Sequence, residues 1–213
     1  MGAQNPDHDV EASMFRVFAI AAGLFLAAAS SVQAQTWTID SSHSGVHFAV
    51  RHMMVSTVRG DMGKITGAVN FDPAKPTAGS IEATIDVNGI DTREPGRDKH
   101  LKSADFFDVE KFPTITFRSK KIEPVSGGGF KVTGDLTMKG VTKEVVLDVE
   151  PLRPQIKDQR GNARTGTAAT IKLNRQDYGI TWSRTLDGGG LVVSDEVSVT
   201  IDVELIAAAP PAK

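Results

Sequence analysis

The sequence contains no cysteine and has a formal net charge of only −2. The absence of cysteine excludes disulfides, thiolate nucleophiles and cysteine-based zinc or iron–sulfur sites. The 24 basic and 26 acidic side chains among 213 residues lack the basic excess that is typical of nucleic-acid-binding proteins. Neither a G-x-S-x-G elbow nor a glycine-rich phosphate loop of standard spacing is present. These absences favour a binding protein over an enzyme, and we expect no cofactor.

An apolar segment near the N-terminus has the pattern of a secretory signal peptide. Arg16 precedes an apolar run over 17–29, and Val32-Gln33-Ala34 follows as a signal-peptidase site. The run is shorter than the roughly 20 residues that span a bilayer, which argues against a membrane anchor. We therefore expect cleavage after Ala34, with residues 1–34 comprising an N-terminal extension and the signal peptide.

Alternation of apolar and polar residues dominates the remaining chain. At least eight runs, such as those over 81–87 and 197–205, predict β-strands with one buried face. Gly, Pro, Asn or Asp separate the runs, and hairpin turns are predicted at 127–129 and 138–140. Many similar antiparallel strands favour a closed barrel of about eight strands, wide enough for a ligand. The alternation alone also permits a two-sheet sandwich.

One segment departs from this strand pattern. Leu101, Ala104 and Phe107 have roughly helical spacing, which predicts a short helix over 95–107. Several aromatic residues flank this helix and the late strands, and they either close one end of the barrel or line an apolar tunnel with the helix as a lid. The tail over 207–213 is rich in alanine and proline, and we expect it to be disordered.

The histidines leave alternatives open. His43 and His47 would share one face of a strand, whereas His52 would face the other way unless a bulge intervenes. These side chains could bind a metal, bond to backbone groups at a strand end, or contact a ligand head group. His100, with the neighbouring Arg97 and Asp98, could supply an acid and a base, but an Arg–Asp pair at a helix start is more often a cap or a salt bridge.

Four sequence blocks follow one another in order within residues 36–206. They read TWTIDSSHSGVHFAVRHMMVSTVRG, IDTREPGRDKHLKSADFFDVEKFPTITFRS, GDLTMKGVTKEVVLDVE and NRQDYGITW. In this combination the chain resembles the YceI-like family. The resemblance implies a lipocalin-like, eight-stranded antiparallel β-barrel over residues 35–206 that binds polyisoprenoid-type lipids in an elongated tunnel. Family members are typically exported proteins of the bacterial periplasm, which agrees with the signal peptide.

The family's motifs fall on named positions of this chain. Its D-x-x-H block falls on Asp40 and His43, and its R-H and R-D-x-H-L blocks fall on residues 51–52 and 97–101. We expect a polar mouth that contacts the ligand head group through His43, Arg51, His52, Arg97, Asp98 and His100. We expect an apolar tunnel wall made by Phe48, Ile85, Leu101, Phe106, Phe107, Phe117, Ile171, Tyr178 and Trp182.

The resulting hypothesis is a periplasmic carrier of long-chain isoprenoid lipids of the polyprenyl or quinone type. One alternative is a metal protein or enzyme built on His43, His52 and His100, and another is a barrel that sequesters apolar compounds without selectivity. The expected partner is the lipid ligand, with transient membrane contact. The sequence is also compatible with a homodimer, and no nucleic acid is expected.

Overall fold

The computed structural model describes residues 35–72 and 75–208. The predicted signal peptide and its cleavage site after Ala34 lie outside these residues, as does the tail beyond Ala208. In the part of the chain that is described, no helix has the length and apolar character needed to cross a membrane.

The described residues form eleven strands and one α-helix. The strands are β1 Gln35–Ile39, β2 Gly45–His52, β3 Ser56–Asp61, β4 Lys64–Phe71, β5 Ser80–Asp86, β6 Thr114–Pro124, β7 Phe130–Met138, β8 Val141–Val149, β9 Ile156–Lys157, β10 Ala163–Asn174 and β11 Val193–Ala207. The helix α1 is Pro95–Lys102, and short 3₁₀ turns lie at Pro76–Ala78, Val87–Gly89 and Arg175–Tyr178.

Eight of these strands close into a ring. The order around the ring is β1, β4, β5, β6, β7, β8, β10 and β11, and β11 pairs again with β1. Every ladder is antiparallel. The closed ring confirms the lipocalin-like barrel and excludes the two-sheet sandwich.

The last strand holds the barrel together because it is long enough to pair with three others. One edge of β11 pairs with β10 over Arg164–Asn174. Its other edge pairs first with β2 and then, near the C-terminus, with β1. Strands β1 and β2 therefore lie end to end along β11, separated by residues 40–44, and β3 pairs with β2 outside the ring. The strand extends to Ala207, which pairs with Trp37, one residue into the segment predicted to be a disordered tail.

Alternation along the strands produces the barrel core. On β5, Ile81, Ala83 and Ile85 point inward, and Glu82 between them forms an ion pair with Arg118 on the outer surface. Five alternate side chains of β11, from Val197 to Leu205, also face the interior. Burying one apolar face per strand stabilises the fold by about 25 cal/mol for each Å² removed from water.

The predicted hairpin turns are confirmed, and their geometry explains their sequences. Lys139 and Gly140 join β7 to β8 with φ values of 50° and 76°. Two consecutive left-handed residues form the turn type that matches the strand twist, and glycine adopts this conformation without strain. Gly127 and Gly128 have φ values of 89° and 85° between β6 and β7.

The helix starts as predicted and ends early. Pro95 occupies the first turn, and the Glu94 carboxylate accepts hydrogen bonds from the backbone N–H groups of Gly96 and Arg97. The prediction of a helix continuing to residue 107 was wrong. Ser103 donates from both its hydroxyl and its backbone N–H to the carbonyl oxygen of His100, and this local bonding ends the helix at Lys102.

One seam of the barrel is weakly paired. Strands β8 and β10 pair only at Ala169 with Val149 and at Thr170 with Asp148. Each strand is fully paired along its other edge, β8 with β7 and β10 with β11. The wall is therefore closed at this seam by fewer hydrogen bonds than at its neighbouring seams.

Candidate functional site

The barrel encloses an apolar cavity of about 260 Å³. Every strand of the ring contributes side chains to its wall, and β2 and α1 add further ones. Phe130 and Met138, at opposite ends of β7, both line it. Because a strand rises about 3.4 Å per residue, the cavity extends on the order of 25 Å along that strand. Its shape therefore suits a long and narrow apolar molecule.

Different groups of side chains form the two ends of the cavity. At the end where β10 finishes, Phe106, Phe107, Tyr178 and Ile180 lie in the lining. At the opposite end the lining includes Phe71, Pro76, Ile122, Phe130 and Leu152. Leu101 is the residue by which α1 reaches the cavity, so the helix covers the wall with one side chain only.

The structure places eight of the nine residues expected in the tunnel wall in the cavity lining. They are Phe48, Ile85, Leu101, Phe106, Phe107, Phe117, Ile171 and Tyr178. Trp182 is the exception and does not line the cavity. Its ring packs against His100 and Phe106, with centroid distances of 5.1 and 5.3 Å, in the loop that follows β10. Trp182 therefore packs against the lining residue Phe106 without lining the cavity itself.

The polar residues expected at the mouth are not part of the cavity lining. The six residues are His43, Arg51, His52, Arg97, Asp98 and His100. Arg51 donates to the carbonyl oxygen of Met54 and to Thr57 Oγ1 at 2.9 and 3.1 Å, which holds the turn between β2 and β3. His52 ends β2, where it pairs with Ser56 and Val193. These two residues therefore act in the strands and turn outside the cavity.

Three polar residues of α1 bond to the segments on either side of the helix. They are Arg97, Asp98 and His100. The Arg97 Nε group donates to Thr92 Oγ1 at 2.7 Å, and Asp98 Oδ1 accepts from the Thr92 backbone N–H at 2.8 Å. His100 Nε2 lies 3.0 Å from Asp105 Oδ2. The three residues fasten α1 to the preceding and following segments. The expected cap or salt bridge of Arg97 with Asp98 is not found among the described residues, because both side chains bond Thr92 and the helix is capped by Glu94.

Asp40, His43 and Glu204 form an ion-pair cluster in which His43 is exposed and the two carboxylates are partly buried. Within residues 35–72 and 75–208 they are the one group of acidic and histidine side chains close enough to share a metal ion. Arg164 already pairs with both carboxylates of the cluster: Nη1 lies 2.8 Å from Asp40 Oδ2 and also bonds Glu204. Nε of the same guanidinium lies 2.9 Å from Asp158 Oδ2.

The electrostatics of this cluster follow from its hydrogen bonds. Donors led by Ser42, with His43 and Arg164, hold the pKa of Asp40 well below its usual range. Asp40 in turn raises the pKa of His43. Among the described residues His52 and His100 do not join this group, so His43, His52 and His100 do not come close enough together to share one metal ion.

Sequence reasoning missed Arg175, a buried charge in the cavity lining. The residue is 5% exposed and follows β10 directly. Its five N–H groups meet the carbonyl oxygens of Ile180, Trp182, Val193 and Ser194 and the carboxylate of Asp195. Arg175 thereby ties the loop after β10 to the start of β11. No periodicity marks it in the sequence, because Arg175 lies in a short 3₁₀ turn and its partners are five to twenty residues further along the chain.

Sequence comparison agrees with the barrel and its cavity. The model of the YceI-like domain matches residues 37–205, which is nearly all of the described chain. The chain belongs to the YceI-like family.

Relatives and solved structures support this assignment. A UPF0312 protein of Staphylococcus aureus (strain N315) is 36% identical over 168 residues, which span 79% of this chain and 95% of the relative. The crystal structure of Burkholderia cenocepacia BcnA is similar with a TM-score of 0.66 and 26% identity, covering 78% of this chain and 98% of BcnA. The Campylobacter jejuni YCEI protein has a TM-score of 0.63 and 31% identity, with 75% and 90% coverage.

A more distant structure shares the fold. A domain from Saccharophagus degradans, described as a polyisoprenoid-binding domain implicated in plant cell wall breakdown, matches with a TM-score of 0.59. It is 15% identical, and the match covers 82% of this YceI-like chain and 99% of that domain. At this identity the likeness concerns the barrel architecture.

Proposed function

We propose that this YceI-like protein binds a long-chain isoprenoid lipid of the polyprenyl or quinone type in its barrel cavity and carries it through the periplasm. The observation that carries the proposal is the elongated cavity whose wall consists almost entirely of aliphatic and aromatic side chains. The Saccharophagus domain of the same fold is described as polyisoprenoid-binding, which is consistent with such a ligand. The proposal is for a binding protein without catalysis or a resident cofactor.

The energetics favour a ligand held mainly by its hydrocarbon chain. Each buried CH₂ group contributes about 0.8 kcal/mol, so ten buried carbons contribute on the order of 8 kcal/mol before losses. Immobilising the ligand costs roughly 4–15 kcal/mol, so tight binding needs a chain of several isoprene units. Length and width would then set selectivity more than the head group does.

Lipid that copurifies with the protein tests the proposal. The full precursor is expressed in a bacterium, purified from the periplasmic fraction without detergent, and extracted for mass spectrometry. We expect one isoprenoid series near one mole per mole, and an N-terminus at Gln35. A mixture of unrelated apolar compounds would favour non-selective sequestration, and a folded protein that is empty and does not bind added prenyl lipids would refute the carrier function.

Two matched variants separate cavity binding from surface association. Val199 lines the cavity, and the adjacent Ser198 is exposed on the outer face of β11. Val199→Asp would place an unpaired charge in the apolar wall, so we expect it to abolish lipid retention. Ser198→Asp should retain lipid as the wild type does. Circular dichroism of both variants checks that the barrel is intact.

Transient membrane contact and homodimer formation stay predictions. Sedimentation of the purified protein with and without vesicles, and its elution volume in size-exclusion chromatography, test them.

A further inference from the structure

Tyr178 has a buried hydroxyl group without a hydrogen-bond partner. In the described part of the chain, three buried side-chain atoms lack a partner: Trp37 Nε1, Tyr178 Oη and Ser183 Oγ. Of these residues only Tyr178 lines the cavity, and it is 1% exposed. A buried polar group without a partner is unfavourable, and most such groups in proteins are satisfied by protein, water or ligand.

The other polar residues of the lining already have partners. The Asn70 side chain bonds to two neighbouring side chains, and the Thr167 hydroxyl donates to the carbonyl oxygen of Glu150. All N–H groups of Arg175 have acceptors within the protein. Among the described residues that line the cavity, Tyr178 is therefore the one whose buried side-chain polar atom lacks a hydrogen-bond partner.

The protonation of Tyr178 and the hydrogen bonds of Arg175 determine which ligand groups the cavity can bind. Burial raises the pKa of Tyr178 to about 12, so the phenol stays protonated at neutral pH and can donate a hydrogen bond. Arg175, the one charged residue in the described lining, has no N–H left to pair with an anion. An unpaired phosphate or carboxylate inside the cavity would lose its hydration without compensation, which is costly.

We propose that Tyr178 donates a hydrogen bond to an uncharged acceptor, such as a carbonyl oxygen, within the buried part of the isoprenoid ligand. The cavity thereby prefers neutral prenyl lipids that contain such an oxygen over the plain hydrocarbon and over prenyl pyrophosphates. The inference rests on the proposed function. The phenol oxygen is buried, so the acceptor reaches it by displacing a neighbouring side chain as the ligand enters.

Matched ligands and variants test this assignment. Dissociation constants are measured for geranylgeranylacetone, for the hydrocarbon in which a methylene replaces its carbonyl, and for geranylgeranyl pyrophosphate, each delivered from a cyclodextrin. Tyr178→Phe removes the hydroxyl and keeps the ring. Thr167→Val is the control, because it removes a lining hydroxyl that already bonds to the backbone. Thermal unfolding of each variant is recorded in parallel.

The wild type should bind the ketone about threefold to tenfold more tightly than the hydrocarbon, the range expected for one neutral hydrogen bond. Tyr178→Phe should abolish this preference without lowering Tm, whereas Thr167→Val should keep the preference and lower Tm. An equal preference in the wild type and Tyr178→Phe would overturn the assignment, as would a lowered Tm of Tyr178→Phe or tighter binding of the pyrophosphate than of the ketone.

The outcomes also separate this inference from the proposed function. If the wild type binds ketone and hydrocarbon equally well, the carrier function stands and the role of Tyr178 is wrong. If the wild type binds neither of them, both proposals are wrong.

Discussion

Filling the cavity with protein atoms should displace the lipid without burying a charge. Ala169 on β10 lines the cavity and points inward. Ala169→Phe adds a phenyl ring, whose six carbons exclude about six carbons of ligand from the same space. At about 0.8 kcal/mol per carbon the loss is roughly 5 kcal/mol, which corresponds to a several-thousandfold weaker Kd.

The neighbouring position provides the control. Thr170 is exposed on the outer face of the same strand, so Thr170→Phe adds the same ring outside the cavity. Overpacking a filled core costs about 1–3 kcal/mol, and we expect a smaller cost for Ala169→Phe because the ring enters an existing cavity. The assays are copurified lipid by mass spectrometry and Kd for labelled geranylgeraniol. Wild-type lipid content in a folded Ala169→Phe protein would refute the placement of the ligand in this cavity.

Three further predictions concern the wall, the loop and the surface cluster. Phe48→Asp should abolish lipid retention, because it places a charge in the apolar wall. Arg51→Ala should change Kd less than about twofold, because Arg51 lies outside the lining. An equal loss of extracted lipid in the two variants would contradict this. Arg175→Met should lower the free energy of unfolding by about 3 kcal/mol and Tm by roughly 10 °C in a calorimetric scan, because it leaves a buried set of acceptors unpaired. Asp40→Asn should lower Tm at neutral pH, with the difference from wild type shrinking as the pH falls below about 4. The reason is that hydrogen bonds led by Ser42 lower the folded-state pKa of Asp40, so its stabilisation is present above the unfolded pKa and is lost in acid; a pH-independent difference in Tm would contradict it.

The strands were predictable because their signal is local. Alternate residues such as Ile81, Ala83 and Ile85 must share one face of a strand, and this requires no knowledge of neighbouring elements. The helix end was not predictable from spacing. Leu101 and Phe107 do have helical spacing, but the hydroxyl and the backbone N–H of Ser103 both bond the His100 carbonyl oxygen, and the helix ends between them.

The site was predictable only where it follows the strand pattern. Wall residues on strands, such as Phe48 and Ile171, could be identified from alternation and motif position. Trp182 lies in an irregular loop, where there is no periodic alternation of apolar and polar residues from which to predict the direction of a side chain. Arg175 depends on partners such as Asp195 that lie far along the chain, and motif residues such as Arg97 bond to the protein itself.

The sparse pairing between β8 and β10 makes the barrel wall uneven in stiffness. The residues that follow β8 continue to bond β10 on the Ala168 side, but on the side of residues 171–174 no pairing with β8 is present. Parting the two strands on that side breaks few hydrogen bonds, because each keeps its full ladder on its other edge. The circumference of the barrel can therefore increase here at a lower cost than at the adjoining strand pairs. The proposed isoprenoid ligand, being methyl-branched, would vary in width along its length, and a wall that expands at one seam would allow its broad points to pass while the rest of the barrel keeps its shape.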